Sequence, residues 1–329
     1  MKKILLVLLF TCSISFAQNR FIIPDVGGMA WWKGNTHTHT TNSDGDSPPE
    51  VVVRWYKDHG YNFLVLSDHN VFTDPRAYEM LQDEDFLLIP GEEVTSSFES
   101  KPVHINGLNI PHVLPAQKGP TLLETIQRNV DVIRSVDGVP HINHPNFRWA
   151  FDHEVLLHVR NDKLLEIYNG HPAVHNLGGG EKVSLEAIWD TLLSAGMHMY
   201  GIAVDDAHHF SGEFARSRSN PGRGWISVRS RTLEAHEIMR SLEEGLFYAS
   251  TGVVLDDVTI TADSLNVSIL QKGDTRYTIE FIGYRGEILQ TNTGPYGSYS
   301  LRGHEAYVRA RITDSSGAHA WIQPVWTTQ

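Results

Sequence analysis

His37 and His39 stand two positions apart, just where the apolar run 29–32 gives way to polar residues. In an extended segment residues i and i+2 point to one side, so both imidazoles can reach a single ion. Asp44 follows in a turn containing Asn42 and Gly45, from which a carboxylate can swing back to the same place. Alone, the His-x-His pair fits two solvent-facing histidines on a strand edge equally well. The recurrence of similar groups along the chain decides the matter. Asp68 and His69 end the apolar run 61–66, Glu92 and Glu93 follow the run 86–89, and His104 sits in a short extended piece. His144 follows the run 139–142, and Asp205, Asp206 and His208 follow the run 198–204. Mixed imidazole and carboxylate ligands of this kind suit Zn, Mn or Fe. Two ions ~3.5–4 Å apart can share a hydroxide, bring its pKa toward neutrality and clamp the oxygens of a phosphoryl centre.

The elements that must position these groups are legible in the same pattern. Residues 61–66, 86–89, 139–142, 164–170 and 198–204 read as strands. Helices are expected over 51–59, with Ser47 as cap and proline in the first turn, over 121–136, over 185–195 closed by Gly196, and over 232–242. Short apolar strands alternating with helices imply parallel β-α units, and the barrels so built carry their sites at the carboxyl ends of the strands. Past Gly252 short alternating runs separated by Gly, Asp and Ser predict a small antiparallel, sandwich-like β domain.

Composition bounds the partners. The formal charge is -12, and sixteen of the 18 histidines precede Tyr248. Residues 1–17 have the charged start, short apolar core and small-residue end of a secretory signal peptide, with cleavage expected after Ala17. Its apolar core is too short to span a bilayer. Cleavage would remove Lys2 and Lys3, taking the charge from -12 to -14, and would remove Cys12, the one cysteine. The mature chain would then be exported to the periplasm or beyond without disulfides. Thr11 before Cys12 argues against a lipoprotein. So acidic a surface is a poor match for a nucleic-acid polymer, yet bound divalent ions would still admit a small anionic substrate.

Taken together, His-x-His with a downstream Asp-Gly, Ser67-Asp68-His69-Asn70, Pro90-Gly91-Glu92-Glu93, Asn143-His144-Pro145 and Asp206-Ala207-His208 resemble the polymerase-and-histidinol-phosphatase (PHP) metallohydrolases over residues 31–252. Gly222-Arg223-Gly224-Trp225, the segment 247–252 and the ending 307–326 are similar to its exported, carbaryl-hydrolase-like branch. The resemblance implies a distorted seven-stranded β/α barrel with two or three divalent ions at its carboxyl face; with the signal-peptide and β-domain readings above, the chain divides into 1–17, 18–252 and 253–329. It implies that His37, His39 and Asp206 hold one ion and that Glu93 bridges to a second completed by His104 and His144. Asp44, His69 and His208 would hold a third. The family often has histidine near the position of Asp44, which leaves that ion's occupancy open. Glu92 beside Glu93, Asp205 beside Asp206 and His209 beside His208 are one-residue alternatives.

Arg216, Arg218 and Arg223 lie in a polar loop directly after the Asp-Ala-His segment, and guanidinium forks match phosphate oxygens. A solvated basic loop in an acidic protein is the competing reading. Glu166, a carboxylate in an apolar strand, is expected to face the site, because burial there costs free energy unless it is paired. His141 fits an orienting role or a core position, while His171 and His175 read as structural or surface residues. The leading expectation is an exported phosphoesterase acting on a small phosphomonoester or phosphodiester through a metal-bound hydroxide, with Glu93, Asp206, His208 and the loop arginines as its catalytic groups. Its rivals are a carbamate, ester or amide hydrolase on the same centre and an inactive exported module binding a glycan or protein.

Overall fold

The computed structural model describes residues 19–328, so the signal-peptide reading of 1–17 lies outside the described residues. Three parallel strands carry the first motifs: β1 (Ala30–Asn35), β2 (Phe63–Val65) and β3 (Leu87–Ile89). After Pro90 the chain enters a hairpin of β4 (Gly91–Phe98) and β5 (Lys101–Leu108), to which β6 (Val139–Ile142) adds antiparallel. Next, β7 (Leu164–Asn169) and β8 (Tyr200–Val204) continue that sheet in parallel. Strand β9 (Trp225–Ser230) then pairs antiparallel with β1, and β10 (Phe247–Ser250) with β9.

Helices α1 (Pro49–Asp58), α2 (Leu122–Arg134), α3 (His153–Leu156), α4 (Leu185–Ser194) and α5 (Ala235–Glu243) connect the strands. Their starts follow local chemistry. The hydroxyl of Thr121 accepts the Glu124 N–H at 3.1 Å and that of Ser184 accepts the Ala187 N–H at 3.1 Å, each satisfying one otherwise free amide. Gly196, at φ +83°, stops α4 where a side chain would be strained. Ser47 does not cap α1. Pro48 holds that position without a side-chain bond, and the Ser47 hydroxyl turns to Asp46 instead.

The closed seven-stranded barrel is not what the strands form. Among the described residues nine strands make one sheet in the order β14 (Ile288–Thr293), β13 (Tyr277–Ile282), β16 (Tyr307–Asp314), β17 (His319–Trp326), β10, β9, β1, β2 and β3, and β4 to β8 make a second in sequence order. The other far strands are β11 (Leu255–Ile260), β12 (Ser264–Ile269) and β15 (Tyr296–Ser300). The physical reason lies in the edges. β9 occupies the edge of β1 that a barrel would give to β8, and β4 turns back against β5 rather than running on from β3. Among the described residues, isolated bridges join the two sheets at the carboxyl ends, Thr38 with Ala207 and His69 with Glu93. Those two bridges bring the site-bearing strand ends together.

The backbone ladder also runs across Gly252, since Tyr248 of β10 pairs with Ile322 of β17. A separate three-stranded sheet, β11-β12-β15, shares a core with the C-terminal strands through Leu265, Val267, Ile279, Phe281, Tyr299 and Ile312. The main core lies between the two larger sheets and the helices, around Phe63, Val65, Ile105, Ile142, Ile202 and Trp189.

Candidate metal centre

All nine positions proposed as ligands come together, seven of them beyond the carboxyl ends of strands and Glu93 and His104 within the β4–β5 hairpin. They fall into four overlapping groups whose ligand atoms lie within 4.8 Å of one another: His37, His39 and Asp206; His37, Glu93 and His144; His69, Glu93 and His104; and His39, Asp44, His69 and His208. Asp206 Oδ1 lies 3.3 Å from His37 Nε2 and 3.2 Å from His39 Nε2. Glu93 links two of the groups, with Oε1 2.9 Å from His104 Nδ1 and Oε2 2.8 Å from His69 Nδ1. Asp44 reaches His208 at 3.3 Å and His69 at 3.6 Å.

The one-residue alternatives resolve locally. Glu92 and Glu93 stand on opposite faces of β4, and Glu92 turns away to accept the Leu114 N–H at 2.6 Å. Asp205 is held by the Tyr56 hydroxyl and by the backbone N–H groups of Gly222, Arg223 and Gly224. Asp206 adopts φ +48°, a left-handed backbone uncommon for a non-glycine residue, and that turn aims its carboxylate into the cluster. His209 bonds the Ser219 hydroxyl, while His208 faces Asp44.

Around these groups stands a shell that orients them. Glu166 accepts from His37 Nδ1 at 2.6 Å, from the His144 N–H at 2.8 Å and from Asn169 Nδ2 at 2.8 Å. That same amide lies 3.1 Å from Asp206 Oδ2, and Asn143 Nδ2 donates to Glu93 Oε1 at 2.8 Å. His141 is buried with Nε2 3.7 Å from Glu166, beside the site and not in it. Asp68 accepts from Thr40 and Ser43 and braces the His37–His39 turn without joining the ligand groups.

The residues fit divalent cations. His37 Nε2, His39 Nε2 and Glu93 Oε2 are buried without hydrogen-bond partners, although buried polar atoms are ordinarily paired. Burial works to raise the carboxyls of Glu93 and Asp206, yet the facing histidines outweigh it and hold both well below the usual range. Burial likewise opposes the charged form of His69, but Glu93 and Asp44 push its pKa up to about 10. The arrangement thus calls for positive charge at its centre.

The loop arginines are less closely engaged. Arg218 bonds the Ser211 carbonyl and pairs with Asp46 at 3.3 Å, Arg223 ties the carbonyls of Gly170 and Ala215, and Arg216 is exposed. Sequence reasoning set aside His171, which stands half-buried with its ring 5.4 Å from that of His208. It also passed over Phe147, whose ring meets that of His144 at 5.3 Å. The nearness of Phe147 to the Asn-His-Pro motif was the available signal.

No family model matches the chain. It is 26% identical over 212 residues to the 5'-3' exoribonuclease Rnm of Salmonella typhimurium, covering 61% of this chain and 69% of that one. A shorter stretch of 85 residues is 38% identical to a 5'-3' exoribonuclease of Haemophilus influenzae, 25% of this chain and 31% of the other. In structure the chain is similar to a two-domain protein of Bacteroides vulgatus described as containing a predicted PHP-like metal-dependent phosphoesterase. The TM-score there is 0.53 at 16% identity, over 91% of this chain and 94% of that one. The relatives and the ligand groups together mark the chain as a hydrolase. The fold is similar to that two-domain protein over most of the chain, and these likenesses do not reach the finer carbaryl-hydrolase branch.

Proposed function

We propose that this chain is a metal-dependent phosphoesterase acting on a small phosphomonoester or phosphodiester. The observation that carries the reading is the buried ligand cluster around Glu93, in which His37 Nε2, His39 Nε2 and Glu93 Oε2 have no hydrogen-bond partner among the described residues. Divalent ions held there by the nine ligands would supply Lewis-acid polarisation of the phosphoryl oxygens and an activated water, so no serine or cysteine nucleophile is needed. The chain's own groups do the positioning. Glu166 accepts the hydrogen bond of His37 Nδ1–H and leaves Nε2 free to ligate, Asn143 and Asn169 fix Glu93 and Asp206, and Arg216 stands in the adjoining loop to meet oxygens that the ions do not reach.

The relatives' names support a phosphodiester, and a short strand end is the second reading they favour. The charge of -12 weighs against a long polymer, whose binding rests on phosphate neutralisation. Among the described residues no helix is long and apolar enough to cross a membrane. Export through residues 1–17 belongs to the proposal and rests on the composition of that segment alone.

Paired assays on a phosphomonoester, a phosphodiester and an aryl carbamate, each with Mn or Zn, test the reading. Turnover of a phosphoester above the carbamate supports it. Carbamate turnover alone would transfer the site to the rival hydrolase, and inactivity with no retained metal would favour a binding module.

A further inference from the structure

His171 borders the ligand cluster and belongs to none of its four groups. Its ring meets that of His208 edge-on at 5.4 Å and that of Phe147 at 6.3 Å. It is half-buried, beside the half-buried His208 and the exposed Asp44. His37, His39, Glu93, His144 and Asp206 lie deeper, all of them buried. The cluster therefore has a closed floor and one side open to solvent, and His171 stands at that open side.

The loop after β7 holds this residue by its backbone and by one ring nitrogen. The His171 N–H donates to Asn169 Oδ1 at 2.8 Å, and the amide of Asn169 in turn bonds Glu166 and Asp206 at 2.8 and 3.1 Å. Asn176 closes the loop, its side chain bonding the N–H and the carbonyl of Asn169 at 2.9 and 2.8 Å. His171 Nδ1 accepts the Ala173 N–H at 3.1 Å. A ring nitrogen that accepts carries no proton, so the proton of the neutral ring sits on Nε2. Among the described residues Nε2 makes no hydrogen bond. The result is a neutral N–H donor, anchored to the frame that holds Asp206 and left unengaged at the mouth of the site.

We propose that His171 is a further catalytic residue, whose Nε2–H bonds the leaving oxygen of the substrate as its bond to phosphorus breaks. The assignment rests on the phosphoesterase reading and adds a donor that the ligand set lacks, since the ligand histidines and carboxylates turn toward the centre of the cluster. In an in-line displacement the leaving oxygen lies opposite the incoming water. With the water taken at the buried floor, that oxygen faces the open side, where His171 stands. The bond from the water oxygen to phosphorus forms, the bond from phosphorus to the leaving oxygen breaks, and the electron pair stays on that oxygen. A donor already in place meets the charge that develops there. The proton that completes the alcohol is the one the water gives up, so His171 begins and ends the turnover in the same form.

The test follows kcat/KM of wild type, His171→Ala and His171→Gln over p-nitrophenyl phosphate, phenyl phosphate and propyl phosphate, whose leaving oxygens grow steadily more basic. A donor at that oxygen matters most where the most charge collects. His171→Ala should therefore lose about tenfold or more on propyl phosphate beyond what it loses on p-nitrophenyl phosphate, and glutamine, which keeps an N–H donor, should restore part of the difference. Bound metal and thermal unfolding, read on the same samples, should stay at wild type. A loss of equal size on all three esters, or none on any, overturns the role, and so does a loss that follows lost metal. If the phosphoesters were inert while aryl and alkyl carbamates turned over, the phosphoesterase reading would fail on its own. The same comparison of aryl with alkyl leaving groups, run on the carbamates, would then support His171 by a graded loss and overturn it by a flat one.

Discussion

His37 Nδ1 and Glu166 Oε1 lie 2.6 Å apart, both fully buried, although 129 residues separate them in sequence. Strand β7 delivers Glu166 into the interior, where an unpaired carboxylate would be costly, and the imidazole is its compensation. The pairing also fixes which nitrogen of His37 is free, because a proton held toward Glu166 leaves Nε2 to ligate.

Replacing Glu166 by Gln should therefore weaken divalent-metal binding roughly 10–100-fold, the scale for loss of an orienting partner, without unfolding the chain. Competition with a chelating dye would measure it. Unchanged metal affinity would show that the His37 orientation is held by packing alone.

Glu93 and Glu92 offer a direct contrast on adjacent positions. Glu93→Gln should lower metal content and phosphoester turnover by about 100-fold or more, since an amide supplies neither the charge nor the second anionic oxygen. Glu92→Gln should leave both near wild type, because Glu92 bonds Leu114 and not the cluster. Elemental analysis beside kinetics reads both, and the reverse result would shift the register of β4 by one.

Glu92 should instead shape stability against pH. Burial pushes its carboxyl up to about 7, against only one backbone N–H that lowers it. The folded chain then holds a proton that the unfolded chain releases between pH ~4.5 and ~7, so this group's contribution falls as pH rises through that window and stays lost above it. Glu92→Gln keeps the acceptor for Leu114 and removes the titration. Thermal unfolding should show the variant level with wild type near pH 4 and more stable at pH 8, by up to about 3 kcal/mol at 1.36 kcal/mol per unit. Equal differences at both pH values would contradict this.

The arginine loop divides by the contacts of each guanidinium. Arg223 ties the carbonyls of Gly170 and Ala215, so Arg223→Ala should lower stability by about 1–3 kcal/mol. Exposed Arg216 has no such ties, and Arg216→Ala should leave unfolding within about 0.5 kcal/mol. If Arg216 meets the phosphoryl group, that variant should raise the reaction barrier by roughly 2–4 kcal/mol at unchanged metal content. Wild-type phosphoester turnover in Arg216→Ala, Arg218→Ala and Arg223→Ala alike would make the loop a solvated surface and strengthen the carbamate or ester reading.

His37, His39, His69, Glu93, His144, Asp206 and His208 were legible because each stands at or just after the end of an apolar run, and strand ends are where β-α architectures gather their sites. What the sequence could not supply was the facing of neighbours. Glu92 and Glu93 look alike until Gly91–Phe98 is known to be a strand, and the Pro-Gly pair before them reads as a turn. Asp205 and Asp206 separate only through a positive φ that no composition signals. The antiparallel arrival of β9 on β1, which leaves the strands short of a closed barrel, depends on long-range pairing such as Trp32 with Val228. His171 and Phe147 belong to no spacing pattern, and only the folded loops bring them to the cluster.

If the group around Glu93 holds divalent ions that hydrolysis requires, removing them must abolish turnover. The most direct measurement strips the purified protein with a chelator, returns Mn or Zn in steps, and follows phosphoester hydrolysis and bound metal on the same samples. Activity should vanish on stripping and return in step with the ions bound, and His37→Ala and Asp206→Ala should regain neither. Hydrolysis that persists in metal-free protein, or full metal uptake by both variants, would contradict it.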